Sequence, residues 1–206
     1  LDVAQVKAVN NYSNLNLPES PLLLLEFHGS KSSVEEQSEL FNEISKDFGG
    51  DNFEWSSSIE ERNRLWKARH DVYYAVKASR PKAEYIATDV CVPISRLSEC
   101  IMETIEDMET HKLYGPIVGH VGDGNFHVQL MVDPKIKEEV DTANAFLERL
   151  AHRAINMDGT CTGEHGVGQG KKQYLIDELG PAVDFMKLIK QEIDPKGIMN
   201  PGKILQ

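Results

Sequence analysis

The apolar positions of the chain fall into short continuous runs that alternate with stretches of helical period. From Pro21, the run Leu22 to His28 predicts a strand, and its four consecutive leucines suit a buried one. An amphipathic helix follows, opened by Ser33-Val34-Glu35-Glu36 in the form of a capping box and closed by Gly49-Gly50. The pattern then predicts a short strand over Asn52 to Ser56, a helix over Ile59 to Ser79, a strand over Tyr85 to Pro93 and a helix over Ile94 to Thr110 introduced by Ser95. Gly115 to Val132 reads as a hairpin. Ile136 to Met157 carries Val140, Ala143, Phe146, Leu147, Leu150, Ala151, Ala154 and Ile155 at helical spacing, and Asp158-Gly159 stops it. A glycine-rich stretch from Gly159 to Gly170, a helix ended by Gly180-Pro181, a second helix to Ile193 and the tail Asp194 to Lys203 complete the chain. No repeat or low-complexity linker divides it. The expectation is one α+β domain over residues 1–206, with a mostly antiparallel sheet covered on one face by helices and a helical C-terminal segment.

Bulk properties narrow the function classes. A length of 206 residues supports a full hydrophobic core. The formal net charge of −11 opposes binding to nucleic acid or anionic membranes, which basic patches drive. No stretch approaches the roughly 20 apolar residues of a membrane span. The three cysteines, Cys91, Cys100 and Cys161, are an odd number without C-x-x-C spacing, against a disulfide framework or a thiolate zinc site and in keeping with a reducing compartment. The chain opens at Leu1 without an initiator methionine or a basic leader, so it reads as a piece of a longer or processed protein.

Candidate chemistry begins in the hairpin. If Asp123-Gly124 form a two-residue turn, His120 lies directly opposite His127, Val121 opposite Phe126 and Ile117 opposite Leu130. Directly opposed residues keep their Cβ atoms about 4.5–5.5 Å apart, close enough for two imidazoles to converge on one ion. Gly163-Glu164-His165-Gly166 offers a third ligand, Glu164, and a general base, His165. Two histidines and a carboxylate with an open position are the donor set of a catalytic zinc, and they accept manganese or iron equally. The alternative for this tetrapeptide is a surface turn with a Glu–His hydrogen bond.

Arg69 falls in the middle of a helical stripe of Leu65, Trp66, Val72, Tyr73 and Val76. A guanidinium there needs an anion, and a substrate carboxylate suits its two-pronged geometry. A structural ion pair or simple snorkelling is the alternative. Gly166-Val167-Gly168-Gln169-Gly170-Lys171-Lys172 lacks the spacing of a phosphate loop and follows a helix, so a nucleotide loop is not supported. His28, His70, His111 and His152 lack comparable context and carry no assigned role.

Taken together, Gly119 to His127, Thr162 to Gly166 and Asp194 to Lys203 resemble the C-terminal domain of the FAD-linked oxidases that act on D-2-hydroxy acids. Trp66-Lys67-Ala68-Arg69-His70 and Thr88 to Leu97 are most similar to the cytochrome-linked D-lactate dehydrogenases of mitochondria. The resemblance implies a substrate-cap domain related to ferredoxin-like folds, paired with an upstream FAD-binding domain, oxidising D-lactate to pyruvate and passing electrons to cytochrome c or another acceptor. It also implies that His120, His127 and Glu164 hold a divalent metal, zinc or manganese, and that His165 is the base beside the flavin. By the same resemblance Arg69 and Gln129 contact the substrate, and Asn200 lies in the tail that approaches FAD. Gln129 stands where the related D-2-hydroxyglutarate dehydrogenases carry an asparagine, so that substrate is the runner-up. A dicarboxylate would want a second cation, for which Arg80 and Lys82 are the candidates. Two other classes remain open, a non-catalytic metal-binding module and a metal-dependent hydrolase.

Overall fold

The computed structural model describes residues 1–51, 53–56 and 58–205, without the side chains of Arg64 and Leu65. Its elements run α1 (Val3–Ser13), α2 (Lys31–Asp47), α3 (Ile59–His70), α4 (Val72–Ser79), β1 (Glu84–Ala87), β2 (Val90–Cys91), α5 (Ile94–Thr110), β3 (Ile117–His120), β4 (Asn125–Val132), α6 (Lys137–Asn156), α7 (Lys172–Leu179) and α8 (Ala182–Ile193). The fold is α+β with an antiparallel sheet, as the apolar pattern predicts.

Strand β4 organises the sheet. All three other strands pair with it and all pair antiparallel. Each of its eight residues is buried. Phe126, Val128, Leu130 and Val132 point to one side, where Leu97, Cys100 and Met108 of α5 and Ala143, Phe146, Leu150 and Ala154 of α6 close the main core. Met131 points to the other side, where α1 and α4 cover it with Ala8, Val9, Val72, Ala75 and Val76. Helices therefore cover both faces, not one, and His127 and Gln129 share the face of Met131. That second layer fills only part of its face, and the site occupies the rest.

Several boundaries differ from the sequence expectation for identifiable reasons. Helix α1 lies ahead of the region where the apolar pattern is informative and is an addition. Leu22 to His28 and residues 53–56 carry no strand, because neither finds a ladder partner among the described residues; Leu23 and Leu25 are exposed, and Asn52 lies outside the described set. The cap of α2 is Ser30, whose hydroxyl accepts from Ser33 N–H, so the helix starts before the Ser33 capping box. Helix α5 begins after Pro93 without a side-chain cap from Ser95. The single helix expected over Ile59 to Ser79 is two helices meeting at Asp71, which caps the first by donating its N–H to the Lys67 carbonyl. Of the stripe around Arg69, Val72 and Val76 are buried and Trp66 half-buried, but Tyr73 is exposed and the Leu65 side chain lies outside the described set.

The hairpin register is shifted by two. His120 pairs with Asn125, and Val118 pairs with His127, so the turn holds four residues, Val121 to Gly124. Asp123 N–H donates to the His120 carbonyl across it, and Gly124 has φ +75° and packs against the Val92 carbonyl, where a Cβ has no room. A shift of two residues preserves the side-chain face. His120 and His127 thus stay on one face as diagonal neighbours, not as a directly opposed pair.

The strand expected over Tyr85 to Pro93 is interrupted at Thr88-Asp89, yet its register is continuous. Ala87 pairs with Gln129 and Val90 with Phe126, with two residues between on each side. Thr88 N–H donates to the Val128 carbonyl at 3.0 Å as a ladder residue should. The return bond is altered, because Val128 N–H donates to the Thr88 hydroxyl at 2.7 Å.

Candidate metal centre

The site sits where the hairpin end of β4, the interruption between β1 and β2, and the loop after α6 converge. The loop is stitched to the sheet by a two-residue antiparallel bridge. Cys91 N–H donates to the Thr160 carbonyl at 3.2 Å, and Thr160 N–H donates to the Cys91 carbonyl at 2.8 Å. This brings Gly163 against the Asn125 side chain and presents Glu164 and His165 to the histidines.

Glu164 Oε1 lies 3.0 Å from His127 Nε2, 3.8 Å from His120 Nε2 and 3.3 Å from His165 Nε2. The donor atoms of His120, His127 and Glu164 all lie within 4.8 Å of one another. Ligands about 2.0–2.2 Å from a common zinc are separated by about 3–4 Å, so the set fits a divalent ion with small adjustments. The rings of His120 and His127 stand edge to face with centroids 5.9 Å apart, and those of His127 and His165 likewise at 5.3 Å. His127 Nδ1 lies 2.8 Å from the Thr88 carbonyl, which can only accept. Nδ1 therefore carries the proton, and Nε2 turns toward Glu164.

Asp89, His127 and His165 form a second triangle of potential donors. It is the poorer ion site, because the Asp89 carboxylate is already saturated. Asp89 Oδ1 accepts from Asn125 Nδ2 at 2.9 Å and from Glu164 N–H at 3.1 Å. Its Oδ2 accepts from His165 N–H at 2.9 Å, from the Thr162 hydroxyl at 3.1 Å and from the Lys171 ammonium at 3.3 Å. Burial alone would raise its pKa, but the His165 N–H, the Asn125 amide, the Glu164 N–H and the Lys171 charge outweigh burial and hold the carboxyl well below the usual carboxylate range. Asp89 fixes the loop, leaving the side chains of Glu164 and His165 free to act.

The site opens to solvent on one side, since His127 is buried while His120, Glu164 and His165 are 39, 51 and 60 % exposed. Arg69 on α3 reaches in from the flank, its Nη2 3.4 Å from His120 Nε2. Gln129 lies two residues beyond His127 on the same face, buried, with its Oε1 unpartnered. Asn200 lies elsewhere, at φ +47° in the tail, lining a cleft of about 660 Å³ beside Lys187, Lys190 and Gly168. Five of the candidate residues thus come together, one sits behind them in the sheet and one stands apart.

Thr88, Asp89, Asn125 and Lys171 also shape the centre, and the sequence alone assigns a role to none of them. For Asp89 the sequence offers two hints, its place in the motif Thr88 to Leu97 and its acidic side chain inside the apolar run Tyr85 to Val92. Asn125 is buried and donates from Nδ2 to Asp89 and to the Val90 carbonyl, 2.9 Å each.

Known proteins place this architecture. The family "FAD linked oxidases, C-terminal domain" matches residues 1–204. A zebrafish (Danio rerio) protein named as a probable mitochondrial D-lactate dehydrogenase is 51 % identical over 207 residues, covering 100 % of this chain and 42 % of its own length. A mitochondrial D-lactate dehydrogenase [cytochrome] of Arabidopsis thaliana is 41 % identical over 206 residues, covering 100 % of this chain and 36 % of its own. The chain therefore spans less than half the length of these relatives. Among solved structures, a 4-ethylphenol oxidase from Gulosibacter chungangensis in complex with isoeugenol superposes with a TM-score of 0.59 at 16 % identity, covering 86 % of this chain and 37 % of that one, which supports the fold alone. With a match that runs almost from end to end, the chain belongs to the C-terminal domain family of the FAD linked oxidases.

Proposed function

We propose that this chain is the substrate- and metal-binding part of an FAD-dependent dehydrogenase that oxidises D-lactate to pyruvate and delivers electrons to cytochrome c. The observation that carries the reading is the convergence of His120, His127 and Glu164 on one point, with His165 and Arg69 at its edge. The names of the relatives support D-lactate as substrate, a cytochrome as acceptor and a mitochondrial location. Their greater length supports a separate flavin-binding domain.

In this reading His120, His127 and Glu164 would hold one zinc or manganese ion, which would supply Lewis acidity at a substrate hydroxyl, and FAD would supply the electron acceptor. Arg69 receives the substrate carboxylate through a two-pronged pair and so fixes which face of Cα is presented. His165, exposed beside Glu164, takes the hydroxyl proton. Gln129 sets the floor of the pocket, and the tail around Asn200 faces the flavin domain. Arg80, one of the two candidate second cations, is committed to both oxygens of Glu139 at 2.8 Å and to the Met131 carbonyl, which counts against 2-hydroxyglutarate.

Elemental analysis of the purified chain beside His120→Ala and Glu164→Ala tests the centre, with about one divalent ion per chain expected and lost in both variants. Acceptor-linked oxidation by the full-length enzyme tests the substrate. A full-length protein with metal and flavin that turns over 2-hydroxyglutarate but not D-lactate would overturn the choice.

A further inference from the structure

We propose that Thr88 is the positioning residue of the metal centre, its hydroxyl standing in for its own carbonyl in the β-ladder so that the carbonyl is free to hold His127. The inference rests on the reading of His127 as a ligand.

In an antiparallel pair the two residues of a hydrogen-bonded position exchange both N–H to carbonyl bonds. Thr88 and Val128 form such a position, and only one of the two bonds is regular. Thr88 N–H reaches the Val128 carbonyl at 3.0 Å, but Val128 N–H is satisfied at 2.7 Å by Thr88 Oγ1. The released carbonyl accepts from His127 Nδ1 at 2.8 Å. All three groups are buried, with Thr88 3 %, Val128 0 % and His127 6 % exposed, so no water competes and each donor needs the partner it has. The same register resumes on both sides of the interruption. The break in the strand is thus a local exchange of acceptors.

The exchange sets the chemistry of His127. A proton fixed on Nδ1 leaves the Nε2 lone pair as the donor and fixes the ring plane toward Glu164 Oε1 at 3.0 Å. Without the Thr88 hydroxyl, Val128 N–H would remain unsatisfied in the core or turn back to the Thr88 carbonyl, which accepts both donors only by swinging off the line to His127 Nδ1. A hydroxyl at this position is required, while the shape of the side chain is not.

The test uses the full chain and cobalt(II) alone as the probe metal, titrated by visible absorption. Wild type and Thr88→Ser should bind one ion with the same affinity, and Thr88→Val should bind about 10–100-fold more weakly, the usual cost of removing an outer partner of a ligating histidine. Imidazole ¹⁵N spectra of the zinc-loaded chain should show His127 protonated at Nδ1 and ligating through Nε2 in wild type and Thr88→Ser, and a mixture of environments in Thr88→Val. Leu150→Ala, a core truncation, should lower the unfolding midpoint without moving cobalt affinity, separating general destabilisation from positioning. Equal affinity and the same tautomer in Thr88→Val and wild type overturn the proposal, provided His127→Ala abolishes binding. Absence of binding in wild type overturns the metal-centre reading itself, and this inference with it.

Discussion

The ammonium of Lys171 lies 2.7 Å from the main-chain carbonyl oxygen of Asp89 and 3.3 Å from its carboxylate, binding the end of the glycine-rich loop to the sheet across 82 residues of sequence. Asp89 is 3 % exposed and Lys171 24 %. Lys171→Met leaves a buried carboxylate without its cation and should cost about 2–3 kcal/mol in urea unfolding, less than a fully buried pair because the Lys171 side chain is partly exposed. Adding Asp89→Asn to Lys171→Met should cost less than the sum of the two single changes. Additive losses would show that the two groups do not act together.

A second buried carboxylate sets the acid response. Burial would raise the pKa of Asp107, but hydrogen bonds from Arg149 and Arg153, with their charges, hold it below the ordinary value. A group whose pKa is depressed by folding binds its proton more readily in the unfolded chain. Its stabilisation is therefore complete above the unfolded value of 3.8 and is lost as pH falls through the folded value. Wild type should lose stability below about pH 4 more steeply than Asp107→Asn. Urea midpoints measured from pH 6 to pH 3 check this, and parallel curves would refute it.

Gly163 approaches the Asn125 side chain so closely that a Cβ would overlap Asn125 Nδ2. Gly163→Ala must displace either the loop or the amide that holds Asp89. The expected outcome is a loss of about 1–3 kcal/mol in stability, by overpacking, together with weaker metal binding. Calorimetry with and without zinc reads both. A fully stable variant with wild-type zinc affinity would contradict the packing.

Only one of the three thiols should react in the native chain. Burial pushes Cys161 up to about 12 and Cys100 up to about 11, and both are inaccessible. Cys91 is partly exposed, its Sγ 3.1 Å from the Asp123 carbonyl. Iodoacetamide at pH 8 should label Cys91 alone in the native chain and all three thiols in urea, because the thiolate is the reactive form. Mass spectrometry of the labelled peptides gives the count.

The sequence carries this architecture unevenly. Helices with long amphipathic faces, such as α6 with Phe146 and Leu150 buried, are legible because periodicity is local. The hairpin was legible in its face but not its register, since Asp123-Gly124 suits a two-residue turn and nothing nearby reveals the Val92 carbonyl against which Gly124 packs. Leu22 to Phe27 has the composition of a strand, but composition does not supply a partner. In the candidate site, the side chains that point into the centre belong to motifs with readable spacing. Those that hold them carry no readable role, even where Thr88 and Asp89 fall in a recognisable motif, because Thr88, Asp89 and Lys171 act on residues 36 to 82 positions away.

The central position of β4 also orders the events of folding. His120 and His127 sit on strands joined by four residues, so their half of the centre forms with a local hairpin. Asp89, Glu164 and His165 are brought together only when segments about 75 residues apart have met, and the entropy of closing such loops delays them. Refolding followed by cobalt absorbance should therefore lag behind refolding followed by backbone circular dichroism. On the proposed reading, capture of the ion would then be the last property the chain acquires, and it would mark the chains that have finished folding.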